Sequence, residues 1–124
     1  MAGSWLQLES DKGSLNSSYS RPLGLRYQFI ADAEDGSIPD LPVLGAGFVF
    51  GIDVEFDGVT APNELTLIMK TKYGNTQWSP AKLTASGFLK PDSPESAPNG
   101  FVLTATQTAV ATNSAKGVLT VHIG

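Results

Sequence analysis

Residues 47–58, GFVFGIDVEFDG, alternate apolar and polar side chains with a period of two. Phe48, Phe50, Ile52, Val54 and Phe56 fall on one parity; Val49, Gly51, Asp53, Glu55 and Asp57 fall on the other. Successive side chains of a strand point to opposite faces, so the pattern predicts a half-buried strand with its apolar parity inward and its carboxylates outward. A helix would scatter the same apolar residues around its circumference. LRYQFIAD, at 25–32, repeats the alternation more weakly through Leu25, Tyr27, Phe29 and Ala31. ELTLIMKT, at 64–71, groups Leu65, Leu67 and Met69. Leu65, Ile68 and Met69 also share helical spacing, but the short length and the YGN turn that follows favour a strand.

Towards the C-terminus, GFVLTATQTAV and GVLTVHI are rich in β-branched residues, and the ATNSAKG between them reads as a hairpin connection. Short strands around WLQLE and SGFLK complete a set of about seven. The predicted fold is all-β: one antiparallel β-sandwich or jelly-roll-like barrel over residues 1–124, with long loops. Those loops are DKGSLNSSYSRPLG, the acidic DAEDGSIPDLPVLGAG, and KPDSPESAPNG, whose Pro91, Pro94 and Pro98 bar it from a central strand. Loops of this length in a small domain usually contact something or move.

Composition narrows the chemistry. The 124 residues include 13 glycines and 8 prolines, which fits many turns and few long helices. There is no cysteine, so disulfides, thiolate metal sites and a cysteine nucleophile are excluded. The start, MAGSWLQLES, lacks the basic and apolar regions of a secretory signal, and no stretch approaches a membrane span, so a soluble protein without a membrane partner is expected. A net charge of −4 argues against a nucleic-acid partner. The charge is also segregated. Asp32, Glu34, Asp35, Asp40, Asp53, Glu55, Asp57 and Glu64 occupy a stretch without a basic residue, while Lys70, Lys72, Lys82 and Lys90 follow without an acid. Beyond ordinary solvated surface, this suits acidic and basic edges that meet between neighbouring copies.

The most suggestive chemical motif is DVEFDGVTAPNE, at 53–64, which has the spacing of an EF-hand calcium loop: Asp53, Glu55, Asp57, Gly58 and Glu64 at positions 1, 3, 5, 6 and 12. An EF-hand needs flanking helices, and here the entering segment is the clearest strand in the chain. Carboxylates about 7 Å apart on a strand would share a calcium ion with Glu64 only if the turn brought them together. No metal or cofactor is therefore expected, with Asp53, Glu55, Asp57 and Glu64 the calcium candidates to test. His122, the sole histidine, shares its parity with Val118 and Thr120 and reads as a surface or interface residue. No G-x-S-x-G elbow, dinucleotide fingerprint or phosphate loop is present. A glycosidase pair of Asp53 and Glu55 would need opposed geometry in a concave site. No catalytic residues are assigned and no enzyme is expected. Trp78, in YGNTQWSP, reads as a loop-tip aromatic on which a sugar could stack beside Asn75 and Gln77, against the commoner role of filling a core or interface.

The stretch from 27 to 74, YQFIADAEDGSIPDLPV followed by GAGFVFGIDVEFDGVTAPNELTLIMKTKYG, resembles a loose family of small structural proteins of tailed bacteriophage virions. Its members share an ADA-DG-x-x-P-D segment, a glycine-bounded strand with G-x-TAP-x-x-L-x-L, and a terminal strand pair. Here these correspond to 31–40, 47–68 and 101–123, about two thirds of the chain; KPDSPESAPNG departs from the pattern. The resemblance implies a virion protein assembled in the bacterial cytoplasm, either decorating or cementing the head or forming part of the neck or tail. It would contact other virion proteins and itself, as a trimer or larger ring. Asp35, Pro39, Asp40, Pro91, Pro94, Pro98 and Trp78 are the expected interface residues. The alternative from the residues is a lectin-like carbohydrate-binding or host-attachment module.

Overall fold

The computed structural model describes residues 3–9, 23–32, 37–44, 47–57, 64–80, 82–98, 100–108 and 116–124. Within them lie ten strands: β1 (Ser4–Gln7), β2 (Leu23–Ile30), β3 (Leu41–Val43), β4 (Gly47–Phe56), β5 (Glu64–Thr71), β6 (Thr76–Trp78), β7 (Gly87–Leu89), β8 (Glu95–Ala97), β9 (Phe101–Thr108) and β10 (Lys116–Ile123). All named pairings are antiparallel. One sheet runs β1-β2-β10-β4-β7, with β8 also on β4; the other runs β3-β9-β5-β6. The two pack face to face as a β-sandwich, and one apolar cluster draws on both.

Seven strands were expected and ten are present. The additional ones, β3, β6 and β8, have three residues each and lie inside segments that read as loops. None has room for a periodic signal, and β3 and β8 lie among prolines. Pro42 sits in β3, on the edge of its sheet, and Pro94 and Pro98 bracket β8, placements that spare the ladder a missing donor. The last two long strands do not form the expected hairpin. β9 pairs with β3 and β5, while β10 lies in the opposite sheet between β2 and β4. Chain polarity and β-propensity are the same for a hairpin and for a crossing between sheets, so local sequence does not separate them.

The inner face of the larger sheet is built in rows across β2, β10 and β4. Leu25, Val121 and Ile52 form one row, Tyr27, Leu119 and Val54 the next, and Phe29, Gly117 and Phe56 the third. Gly117 leaves the space that the two flanking rings use. A methyl there would come within 2.9 Å of the Phe29 ring, and Phe29 and Phe56 meet edge to face with centroids 6.4 Å apart. Trp5 of β1 closes this end, 5.8 Å from Phe29, with its indole N–H donating to the Pro39 carbonyl at 2.6 Å. From the other sheet, Leu65, Leu67, Met69, Phe101 and Leu103 are buried against these rows. The strict alternation of β5 excludes a helix there.

The expected alternation of β4 holds for only half of the strand. Ile52, Val54 and Phe56 point inward, but so does Val49, which is fully buried, while Phe48 and Phe50 are 50% and 37% exposed. The cause lies in the pairing with β10: His122 faces Gly51 and Ile123 faces Val49, so Phe50 is an extra residue in a β-bulge. One extra residue reverses the parity of everything before it. Asp53 and Glu55 do point outward.

Two outcomes follow. Ile52→Ala should cost about 2–5 kcal/mol, whereas Phe48→Ser should cost less than about 1 kcal/mol, as read from urea denaturation; uninterrupted alternation would make the Phe48 change the costly one. Burial raises the Tyr27 hydroxyl above the ordinary tyrosine value of 10.0. The folded chain therefore holds that proton after the unfolded chain has released it. The associated stability is complete below pH 10 and lost as pH rises through the folded-state value. Alkaline denaturation curves should show this loss in the wild type and lack that component in Tyr27→Phe.

Candidate functional site

Directly outside the inner rows, the larger sheet carries its polar and aromatic residues in register. Arg26, Thr120, Asp53 and Phe88 make one row across β2, β10, β4 and β7; Gly24, His122 and Gly51 make the next. His122 thus stands between two glycines, which leave its ring room to lie low on the sheet. It donates its Nε2–H to Asp53 Oδ2 at 2.8 Å. The Phe88 ring lies over Gly51, where an added methyl would land on Phe88 Cζ, and meets the His122 ring edge to face at 5.9 Å. Glycine opposite an aromatic thus occurs on both faces of this sheet, at Gly117 inside and Gly51 outside.

Upstream of the bulge, Phe48 and Phe50 emerge on this same outer face. With Phe88, 51% exposed, they give it three solvent-facing rings on the face that also carries Asp53, Glu55, Arg26 and His122. Sequence reasoning assigned Phe48 and Phe50 to the core and passed over Phe88. The bulge was the missing information, and the glycine at 51, a residue that within a strand often marks a bulge or a close approach, was its one local sign.

The EF-hand candidates are dispersed. Asp53 is bound to His122, Asp57 pairs with Lys116 at 3.7 Å, and Glu64 sits in the other sheet with Lys82 at 3.5 Å. Gly58 lies outside the described residues. Among the described residues, no group of three or more His, Asp or Glu side chains is placed to hold a metal ion. His122 has its orienting carboxylate, but within the described residues only Asp53 hydrogen-bonds it, and no serine does. Asp53 and Glu55 share one strand face and do not oppose each other across a cleft.

The interface candidates also separate. Pro39, Asp40, Pro94 and Pro98 are exposed, while Pro91 is buried; Asp35 lies outside the described residues. Trp78 is not at a loop tip. It belongs to β6, pairs with Met69 and packs its half-buried ring against the core. It also walls an open cleft of about 620 Å³ between β6 and the segment joining β7 to β8. Compared with protein-family models, curated proteins and solved structures, the chain matches none.

Gly51→Ala should displace the Phe88 ring, because the new methyl and that ring cannot share the space. Cross-relaxation between the Phe88 and His122 ring protons should disappear in the variant, while the inner-face contacts of Phe29 and Phe56 persist.

Proposed function

We propose that this protein is a structural component of a tailed-bacteriophage virion, a capsid decoration or cement protein or a neck or tail component, which stabilises the particle through contacts with its own copies and other virion proteins. The observation that carries the reading is the trio of Phe48, Phe50 and Phe88 held outward on the larger sheet. Apolar rings held in water gain free energy only when another surface covers them. A fully buried aromatic removes about 150–250 Å² from solvent, so these rings supply the centre of a specific interface of about 1,200–2,000 Å². The polar residues around them would form its rim.

Charge supports a repeating contact. Asp53 and Glu55 project from the outer face of the larger sheet, and Lys70 lies on the outward parity of β5 in the other sheet. Copies in which Asp53 or Glu55 of one meets Lys70 of the next make a head-to-tail contact, which closes into a ring when the rotation permits. The work of such a protein is thermodynamic: assembled particles gain the contact and dissociated ones do not.

Electron microscopy of purified particles should place the chain at fixed symmetry positions, and purified virions without it would overturn the reading. Phe48→Asp with Phe50→Asp should abolish incorporation while leaving the melting temperature within about 4 °C of the wild type.

A further inference from the structure

We propose that the cleft between β6 and the β7–β8 connection is a binding site for a neutral hexose. Its volume of about 620 Å³ lies within the roughly 300–1,000 Å³ typical of small-ligand pockets. Trp78, Pro80 and Phe88 give it apolar walls; Lys90, Asp92, Ser93 and Glu95 supply donors and acceptors around them. A pyranose presents the same two chemistries. One face is largely C–H and stacks on an aromatic plane, and the rim is a set of hydroxyls that both donate and accept.

The walls are held before any ligand arrives. Trp78 is fixed from behind by its pairing with Met69 and its contact with the core. The neighbouring Gln77 bridges the two sheets: its amide donates to the Ser96 carbonyl at 2.5 Å and to Glu95 Oε2 at 3.4 Å. Glu95 is therefore oriented, with its second carboxylate oxygen outside that bridge. Lys90, Asp92 and Ser93 are exposed and make no hydrogen bond or ion pair with another described residue. Polar side chains that line the cleft without internal partners are free to bind hydroxyls, and the Trp78 wall, already fixed, loses little to ordering.

The charge selects the sugar class. Asp92 and Glu95 outnumber Lys90, which disfavours uronic and sialic acids. Carboxylates accept strongly from hydroxyl pairs, and the ammonium donates to a ring or hydroxyl oxygen. This site is separate from the aromatic trio except at Phe88, which borders both, and its occupancy does not depend on the virion reading.

The test is a titration of the full chain with glucose, galactose, mannose and N-acetylglucosamine, followed by the Trp78 indole N–H and the Asp92 and Ser93 amides in nitrogen–proton correlation spectra. At least one sugar should shift these signals with a dissociation constant on the order of 1 mM. Asp92→Asn, an exposed change that leaves the core intact, should weaken that binding about tenfold, and glucuronate should bind at least about tenfold less well. Absence of shifts with all four sugars up to about 50 mM overturns the proposal. So do shifts centred away from the cleft, or binding that is unchanged in Asp92→Asn or with glucuronate.

Discussion

The fold turns on one constraint in β4. This ten-residue strand bonds to β10 on one side and to both β7 and β8 on the other, so its inward face must suit three partners. It meets that demand with an extra residue at Phe50, and Val49 and Ile52 both reach the core although their parities differ. A straight strand would have buried Phe48 and Phe50 at one end and Ile52, Val54 and Phe56 at the other. The bulge replaces two rings by one valine inside and sends the rings to solvent. The exposed aromatic surface is therefore a consequence of how the central strand is paired.

Glycine opposite an aromatic makes the arrangement sterically workable on both faces. Inside, Gly117 lets Phe29 and Phe56 meet across β10, which fills the end of the core that Trp5 then covers. Outside, Gly51 lets the Phe88 ring reach over the strand and meet, edge to face, His122, whose Nε2 holds Asp53. A side chain at either glycine would force an aromatic ring outwards. The outer face is thus ordered although it is in water, and an ordered surface loses less entropy when covered than a mobile one.

The two sheets are joined by more than apolar contact. Gln77 reaches from β6 to β8, and Leu65 exchanges backbone hydrogen bonds with Leu83 at 2.8 and 2.9 Å on the path between the sheets. These ties sit at the open side of the sandwich, where short strands could otherwise splay. Gln77 also reaches Glu95, which lines the Trp78 cleft, so one of these ties borders that shaped surface.

Half-buried strands were legible because alternation reports a face: β2, β5, β9 and β10 are where period two and β-branched residues place them. The all-β class and the outward direction of Asp53 and Glu55 followed from the same pattern. Strand pairing was not legible. Whether β10 lies beside β9 or between β2 and β4 depends on contacts between residues far apart in the chain, which no local window contains. The three-residue strands escaped because they owe their extension to a neighbour's ladder and not to their own propensity. Phe48, Phe50 and Trp78 were misplaced for the same reason. Alternation fixes a residue's side relative to its immediate neighbours, but only the partner strands, by admitting a bulge or pairing an apparent loop, decide which side faces the core.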